Sequence, residues 1–562
     1  MLRHPLALAA IVLAVLARAA PAEEGEKFRG AVVCVDPVAA EVGASVLRAG
    51  GNAVDAAVAT ALALAVTWPA AGNLGGGGFL LLRHSDGRAE FLDFRETAPA
   101  ASSPAMFLDG ESGAILDERR DAGGLSAGVP GSVRGLEEAW RRRGTRPWKE
   151  LVSPAAEIAR GGFVVRPSLE TSLARNRKKL LAFETSAVFF GLEEEKGPAA
   201  GERLRLTDLA RTLDAVAEKG GDAFHEGEIA RRIAVAARRA GGVLTERDLA
   251  AYRPAWREPV RGTYRGHDIL SAPPPSSGGA VIVECLNVLE GYDFSGLALD
   301  SPETVHRIAE SLRFAFRDRA LHLGDPDAGH LVPPELLDKA YAARIRESIR
   351  DDRATRSRDI AGPIALAPES AETTHLTVAD AALNVVSLTT TLNDSYGSGV
   401  VAAGTGVLLN NEMADFNPKP GFTDAKGRIG TSANLARPGR RMLSSMTPAI
   451  VSRDGRVVLA LGSPGGRTIP STVLQVIVGR IDFALSPRQA IDHGRFHHQW
   501  LPDEILLEPA YLGPEARAAL EKRGHRLRES KDTQGDCHAL FLENGALAGV
   551  ADARIDGGAA TP

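Results

Sequence analysis

Two β-rich runs with a short connection between them place the strongest constraint on the fold of this chain. Residues 373–379 alternate between polar and apolar side chains, and residues 384–391 are rich in β-branched side chains. Runs of this kind predict a β-hairpin. Pairing the strands about Ala382 places Thr391 opposite Thr373, and directly opposed residues have Cβ atoms about 5 Å apart. We therefore expect the two threonine hydroxyls to lie within hydrogen-bonding reach.

Thr373 is a candidate nucleophile under one condition. A threonine hydroxyl needs a base to remove its proton, and the α-amino group of the same residue can be that base once the residue begins a chain. An α-amino group has a pKa near 8, so a useful fraction is unprotonated at neutral pH. The hypothesis therefore requires cleavage between Glu372 and Thr373. The alternative for this stretch alone is an exposed edge strand.

The segment before Thr373 suits a cleavage site. Residues 351–372 are charged, contain proline and have few large apolar side chains, which favours a flexible segment. Residues 132–260 and 280–350 have mostly the apolar spacing of amphipathic helices. The pattern therefore predicts helices in the first two thirds of the chain and a concentration of strands after Thr373.

Composition excludes some classes of function. The 562 residues include 66 Lys and Arg and 71 Asp and Glu, a net charge of −5, with both signs spread along the chain. This balance offers no basic patch for nucleic acid, so no nucleic-acid partner is expected. Three cysteines, Cys34, Cys285 and Cys537, are too few for a disulfide framework.

The beginning of the chain predicts export. Arg3 and His4 precede an apolar run from Leu6 to Leu16, and Ala20-Pro21-Ala22 has the small-x-small pattern of a cleavage site. We interpret residues 1–22 as a secretory signal peptide, which implies a periplasmic or secreted protein. The apolar run is shorter than the ~20 residues that span a bilayer, so no stable membrane insertion is expected. An uncleaved anchor is the alternative.

Neither a cofactor nor a metal is expected. The glycine-rich run 71–79 superficially resembles a phosphate loop, but it lacks the Lys-Ser/Thr ending that contacts phosphates and Mg²⁺. His497 and His498 are adjacent, so their side chains point apart on a strand, and no helical partner follows at four residues. We interpret both histidines as structural.

Three motifs carry a family resemblance. They are Thr373-Thr-His-Leu-Thr-Val-Ala-Asp380, Thr391-Leu-Asn393 and Gly406-Val-Leu-Leu-Asn-Asn-Glu412-Met-Ala-Asp415-Phe416, and further matches run from about Gly30 to Arg554. Together they resemble the γ-glutamyltranspeptidase family of N-terminal nucleophile hydrolases. The resemblance implies an α+β fold, the four-layer αββα sandwich. It also implies self-cleavage into a large subunit, residues 23–372, and a small subunit, residues 373–562, which stay together.

The resemblance also implies roles for individual residues. Arg95 is expected to bind the α-carboxylate of a substrate, because a guanidinium offers two parallel donors to two oxygens. Taken alone, Arg95 could instead be a surface residue paired with Glu96. Asp415 is expected to bind the α-ammonium group, and Thr391 to support Thr373. Four further residues complete the implied pocket: Asn393, Glu412, Ser444 and Ser445.

A glycine pair is the candidate oxyanion hole. The run from Gly462 to Thr468 precedes an apolar helix at 469–478, so consecutive N–H groups lie at a helix start, which suits an anion. The resemblance assigns Gly465 and Gly466 to stabilise the negative charge that develops on the carbonyl oxygen.

The implied activity is γ-glutamyl transfer. Thr373 attacks the γ-glutamyl amide of glutathione or a related compound, and the acyl group passes to water or to an amino acid or peptide. A related acylase on the same scaffold, acting on glutaryl or cephalosporin side chains or on poly-γ-glutamate, is one alternative. A non-catalytic exported binding protein is the other. Arg95 with Asp415 favours an α-amino acid head group.

A long loop at residues 416–440 is expected to be a lid, because loops of this length are often lids and the family has one here. The position that is commonly aromatic in the family is Lys426. A lysine is strongly hydrated and does not fill an apolar contact, so we expect water to reach the acyl-enzyme and hydrolysis to be substantial.

Overall fold

The computed structural model describes residues 30–360, 373–424, 429–543 and 546–562. The expected signal peptide, Glu372 of the expected cleavage site and Lys426 of the expected lid lie outside these residues. The strands of the described part are, in chain order, β1 (Gly30–Cys34), β2 (Gly77–Arg83), β3 (Ala89–Asp93), β4 (Phe163–Val164), β5 (Arg203–Leu204), β6 (Ala255–Arg257), β7 (Val260–Tyr264), β8 (His267–Ser271), β9 (Thr374–Asp380), β10 (Val385–Thr391), β11 (Val401–Ala402), β12 (Val407–Leu408), β13 (Ala449–Arg453), β14 (Arg456–Gly462), β15 (Phe496–His497), β16 (Ile505–Leu507), β17 (Leu527–Glu529), β18 (His538–Glu543), β19 (Ala546–Val550) and β20 (Gly558–Ala560).

The α-helices of the described part lie mostly before the hairpin, as the apolar spacing predicts. They are α1 (Pro37–Arg48), α2 (Ala53–Thr67), α3 (Asp117–Asp121), α4 (Ser132–Arg143), α5 (Trp148–Gly161), α6 (Pro167–Leu181), α7 (Glu184–Phe190), α8 (Thr207–Lys219), α9 (Asp222–His225), α10 (Gly227–Arg239), α11 (Glu246–Ala251), α12 (Gly278–Leu289), α13 (Pro302–His322), α14 (Lys339–Ser348), α15 (Thr468–Ile481), α16 (Pro487–Asp492) and α17 (Pro514–Lys522).

Two antiparallel sheets are built from both parts of the chain. The first has the strand order β20-β1-β9-β10-β2-β3-β6, and the second has the order β19-β18-β14-β13-β8-β7. Strands that precede Thr373 hydrogen-bond to strands that follow it in both sheets. Neither part of the chain therefore completes a sheet alone.

The first sheet is buried on both faces, which makes the architecture four-layered. Val378 and Val386 point into a core formed with α1 and α2, whereas Ala379 and Val385 point into a core shared with the second sheet, α12, α13 and α15. Successive strand residues point to opposite faces, so this alternation places one helical layer outside each sheet. The expected αββα sandwich is confirmed.

Helix α2 is the best-buried helix of the outer layer next to the first sheet. All of its residues are buried, and it packs against α1, α5 and strand β9. Asn52 caps it, because its side chain accepts hydrogen bonds from the N–H groups of Val54 and Asp55. In turn, Asp55 Oδ2 accepts a hydrogen bond from the Asn52 N–H. Alanine, the best helix former, lets neighbouring elements approach closely.

The hairpin has the predicted register. Val385 pairs with Ala379 and Thr390 with Thr374, which is pairing about Ala382. Asp380 closes the turn, because its Oδ1 accepts from the N–H groups of Ala382 and Asn384, each at 2.9 Å. Continued by one step, this register places Thr391 opposite Thr373 at the open end.

A buried histidine joins the hairpin to the second sheet. His375 Nδ1 lies 2.9 Å from Thr389 Oγ1, and its Nε2 lies 2.9 Å from Thr377 Oγ1. Gly462, the last residue of β14, packs against the ring so closely that a Cβ there would lie 2.4 Å from His375 Cε1. The ring therefore sets the separation between β9 and β14.

We expect Gly462→Ala to destabilise the protein by about 1–3 kcal/mol, because the added methyl group overpacks against a ring that is held on both sides. The measurement is the midpoint of thermal or urea unfolding. Gly513→Ala is the matched control, since a Cβ at Gly513 meets nothing within 4 Å. Equal stability of the two variants would contradict the tight contact.

Candidate active site

The residues predicted from sequence converge on one small cavity. Its volume is about 20 Å³, and it is lined by Arg95, Thr373, Thr391, Asn393, Glu412, Asp415, Ser444, Ser445, Met446, Gly466 and Ile469. Of the predicted catalytic and substrate-binding residues, Gly465 alone is not in this lining. The cavity lies where the open end of the hairpin meets the turn before α15.

The two threonines stand at the ends of neighbouring strands. Thr373 directly precedes β9 and is 6% exposed, and Thr391 ends β10. Thr391 Oγ1 accepts a hydrogen bond from the N–H of Asn393 at 2.8 Å. Asn393 has a φ of 77°, a left-handed conformation that asparagine tolerates, and its Nδ2 donates to the carbonyl oxygen of Asn411 at 3.0 Å.

Arg95 is not a surface residue. Its side chain is 1% exposed and it follows β3, where its N–H donates to Asp93 Oδ1 at 2.9 Å. One end of the guanidinium, Nη1, lies 2.6 Å from Glu412 Oε2, and the other end, Nη2, donates to Asp415 Oδ2. Both carboxylates belong to one turn of 3₁₀ helix, Glu412–Asp415, so a single short element holds both ends of the guanidinium.

Glu96 adds a third carboxylate to this arginine. Its Oε2 is 3.7 Å from Arg95 Nη1, and neither of its carboxylate oxygens has a hydrogen-bond partner within the described part of the chain. Burial raises the pKa of Glu96 to about 8, and burial likewise raises the pKa of Glu412 well above its ordinary value. One guanidinium faces three carboxyl groups, an arrangement that favours an added cation.

The pKa of Arg95 itself moves upward. Burial alone would lower it, but the carboxylates of Glu412, Asp415 and Glu96 together outweigh that effect. Arg95 is therefore a permanent cation in the cavity.

The turn formed by Gly465 and Gly466 before α15, called the glycine turn below, is held by hydrogen bonds from the first turn of the helix. Gly465 and Gly466 have φ values of 126° and 55°, a region that favours glycine. Their carbonyl oxygens accept from the N–H groups of Thr468 and Ile469, at 3.0 and 3.2 Å. Gly466 lines the cavity of Thr373, whereas Gly465 lines a larger neighbouring cavity. The structure thus brings one of the two predicted oxyanion donors to the Thr373 cavity.

The two serines are held by the loop before α12. Ser444 donates its N–H to the carbonyl oxygen of Pro275 at 2.8 Å and accepts at its own carbonyl from the N–H of Ser277 at 2.9 Å. Ser445 Oγ accepts from Arg319 Nη2 at 3.2 Å. These bonds present both serines to the cavity without a regular strand.

Sequence reasoning did not find Met446 and Ile469, which supply apolar walls to the cavity. Neither belongs to a polar motif. Met446 directly follows Ser445, and Ile469 lies in the first turn of α15, so adjacency to predicted residues was the only available signal. Glu96 was considered only as a partner of Arg95.

Comparisons with known proteins show the family of this chain. The family model described as Gamma-glutamyltranspeptidase matches residues 39–561. The chain belongs to this family. A glutathione hydrolase proenzyme from Escherichia coli (strain K12) is 42% identical over 529 residues, which cover 94% of this chain and 90% of the relative. The resemblance stated from the motifs is therefore confirmed.

Two solved structures are similar to this member of the transpeptidase family. A cephalosporin acylase from Bacillus halodurans has a TM-score of 0.82 at 28% identity and covers 98% of this chain and 99% of its own. A Helicobacter pylori γ-glutamyltranspeptidase has a TM-score of 0.58 at 37% identity and covers 61% of this chain and 98% of its own. Both likenesses support the shared αββα scaffold.

In this member of the transpeptidase family the described part of the expected lid is folded onto itself. Phe416 is buried beside Met413 and Met442. Asn417 Nδ2 donates to the carbonyl oxygen of Thr431 at 2.6 Å, and the N–H of Gly421 donates to Gly430 at 2.8 Å. These bonds tie the two arms of the loop together. The expectation for Lys426 falls outside the described residues.

One group of residues of the metal-ligating types lies elsewhere in the described part of the chain. His306, Glu310 and His525 are buried, with ligand atoms within 4.8 Å of one another. Three of their four ring nitrogens already have partners, since His306 Nδ1 lies 2.7 Å from His525 Nε2 and His306 Nε2 lies 2.9 Å from the Arg350 carbonyl oxygen. We interpret the group as a hydrogen-bonded link between α13 and the segment after α17.

The raised pKa of Glu96 predicts a pH-dependent effect of Glu96→Gln on stability. A carboxyl group whose pKa is higher in the folded state contributes stability that is full below its ordinary pKa of 4.5 and is lost as pH rises to about 8. The neutral amide does not titrate. Relative to the natural protein, the variant should therefore gain stability between pH 5 and pH 8.5, on the order of a few kcal/mol.

The measurement is the difference in Tm between variant and natural protein across that pH range. Glu111→Gln, at an exposed position, is the control and should show a difference that does not change with pH. A pH-independent difference for Glu96→Gln would show that the carboxyl group is ionised throughout.

Proposed function

We propose that this protein is a self-cleaving γ-glutamyltransferase and glutathione hydrolase with Thr373 as its nucleophile. The observation that carries the proposal is the meeting of Thr373, Arg95 and Asp415 around one cavity in a chain of the γ-glutamyltranspeptidase family. A hydroxyl nucleophile, a carboxylate-binding cation and an ammonium-binding anion are the three groups that a γ-glutamyl amide requires.

Maturation cleaves the chain between Glu372 and Thr373 and leaves a large subunit, residues 23–372, and a small subunit, residues 373–562. The α-amino group of Thr373 becomes available as a base only after this step. Strand β9 remains hydrogen-bonded between β1 and β10. This interleaving of strands supports subunits that stay together after cleavage.

Substrate recognition uses the excess of carboxyl groups around Arg95. The α-carboxylate of the γ-glutamyl group binds the Arg95 guanidinium, and the α-ammonium group binds Asp415. Glu412 already contacts Arg95 at 2.6 Å, so the incoming carboxylate shares the guanidinium with it. Asn393, Ser444 and Ser445 supply the remaining polar groups of the cavity.

Catalysis proceeds through an acyl-enzyme. The α-amino group of Thr373 takes the proton from Oγ, which attacks the γ-carbonyl carbon, and the proton then passes to the departing amine. Thr391 lies opposite and supports the nucleophile. The N–H of Gly466 stabilises the oxyanion, an effect worth about 3 kcal/mol per donor in other enzymes. Water or an acceptor amine then releases the acyl group.

We infer export to the periplasm or the medium from the signal-peptide pattern of residues 1–22. Within the described residues, no helix combines the length and the apolar character needed to cross a bilayer.

Changing Thr373→Ala should give one uncut and inactive chain, because both the hydroxyl and the cleavage reaction that depends on it are lost. The natural protein should show two bands on a denaturing gel, and the smaller should begin Thr-Thr-His-Leu. Thr374→Val is the matched control, since the Thr374 Oγ1 is buried without a hydrogen-bond partner in the described part of the chain. That variant should mature and turn over substrate.

Two results would contradict this assignment. A Thr373→Ala protein that still matures and hydrolyses glutathione would remove Thr373 as the nucleophile. A natural protein that stays uncut and inactive would favour a non-catalytic binding protein.

Arg95→Ala should lower kcat/KM for a γ-glutamyl anilide by a factor that corresponds to about 2–5 kcal/mol, because the α-carboxylate loses its partner. Arg95→Lys should also lower kcat/KM, because an ammonium cannot make the forked contact with a carboxylate. The measurement is steady-state hydrolysis. Arg313→Lys is the control, since Arg313 is equally buried in ion pairs with Glu310 and Asp503 and does not line the cavity. It should keep its kcat/KM.

The same assay separates the transpeptidase from an acylase. A glutaryl anilide lacks the α-ammonium group and should be a poor substrate, because it cannot make the contact with Asp415 that we assign to that group. Preference for the glutaryl substrate, with normal kinetics in Arg95→Lys, would support the acylase alternative.

A further inference from the structure

A second cavity lies on the other side of the glycine turn. Its volume is about 640 Å³, and Gly465 and Thr468 line it on one side while Ser172 and Arg175 of α6 line it on another. The Thr373 cavity is about 20 Å³ and is lined by Gly466. Two successive residues of one turn therefore face two different cavities.

The groups of an amide substrate follow one another in an order that matches the order of the two cavities. An amide substrate runs from head group through acyl chain and carbonyl to the substituent on nitrogen. With its head group at Arg95 and its carbonyl at Gly466, the nitrogen substituent must continue past the turn. The space past the turn is the larger cavity, which Gly465 lines.

The larger cavity contains a carboxyl group without a partner. Asp536 lines it, is largely buried, and has no hydrogen-bond or ion-pair partner within the described residues. Burial raises the pKa of Asp536 to about 7, with a further rise from Asp552, against opposing effects of Arg495 and Arg554. A carboxyl group of this kind binds an ammonium group and accepts a proton from it near neutral pH.

The same cavity has one guanidinium that can change partners. Arg175 lies 3.3 Å from Asp532, but their side chains are 67% and 66% exposed, and exposed ion pairs of this kind contribute little. Arg554 also lines the cavity, but it is bound to Glu508 at 2.7 Å and to Asp552 at 3.1 Å. Arg175 is therefore the cation available to a ligand carboxylate.

We propose that this second cavity binds the amine side of the reaction, that is, the amino acid or short peptide that accepts the acyl group, with Asp536 contacting its amino group and Arg175 its carboxylate. The inference rests on the proposed γ-glutamyl transfer and adds to it the location of the acceptor. Asp536 and Arg175 are one negative and one positive group of this cavity, and together they match the two charges of a zwitterion.

Asp536 and Thr373 Oγ together take up the two protons that the acceptor amine loses in the transfer step. The acceptor enters as an ammonium ion and gives one proton to Asp536. Its nitrogen then forms a bond to the acyl carbon, the bond from that carbon to Thr373 Oγ breaks, and the second proton of the amine goes to Oγ. The released product is a new γ-glutamyl amide. Hydrolysis uses water instead and does not require Asp536.

The main test is Asp536→Asn, which keeps the shape and removes the charge. We measure hydrolysis of a γ-glutamyl anilide without acceptor and transfer with increasing glycylglycine. The expected result is an acceptor KM at least about tenfold higher, a change of about 1.4 kcal/mol, with hydrolysis within about twofold of natural. Asp532→Asn is the matched control on the same rim and should not raise the acceptor KM.

Arg175→Ala provides a second test at an exposed position, where the change does not disturb packing. The natural enzyme should prefer glycylglycine to glycylglycinamide, which lacks the carboxylate, and Arg175→Ala should lose that preference. Unchanged acceptor kinetics in both Asp536→Asn and Arg175→Ala, with hydrolysis intact, would overturn the inference. Absence of hydrolysis in the natural protein would instead overturn the proposed function.

Discussion

The hydrogen-bonded ladder between β9 and β10 is the interaction on which the rest of the structure depends. The hairpin lies in the middle of the first sheet, with β1 on one side and β2 on the other, and both of its faces are buried. A register shift of one residue would turn every side chain to the opposite face. The ladder therefore fixes Thr373 and Thr391 at one end of the sheet. It also places strands from before and after Thr373 side by side in the same core.

Charge balance at Arg95 is the second constraint. Glu96, Glu412 and Asp415 all face one guanidinium; Glu96 and Glu412 are fully buried, and the Asp415 side chain is 12% exposed. Buried charges are costly unless they are paired. The raised pKa of Glu96 and Glu412 is the physical consequence. In the proposed function, the side chains that bind the substrate are therefore the same ones whose burial affects local stability.

Much of the fold was predictable because local patterns and global structure agree. The alternation before Ala382 and the β-branched run after it determine the hairpin, and Asp380 supports the turn through its own side chain. The sheet partners of the hairpin were not predictable in the same way. β8 pairs across the structure with β13, and β7 pairs with β8 at the edge of the sheet. Long-range pairing such as that of β8 with β13 leaves no periodic signal within one segment.

The amino-acid sequence by itself determined the hairpin, its register and the family, because the residue types that make a strand, a turn or a motif act over a few neighbouring positions. The tertiary structure alone decided which groups meet. It surrounds Arg95 with three carboxyl groups, closes the Thr373 cavity with Met446 and Ile469, and divides Gly465 from Gly466 between two cavities. Contacts of this kind depend on how elements distant in sequence pack, and packing is set by the whole core.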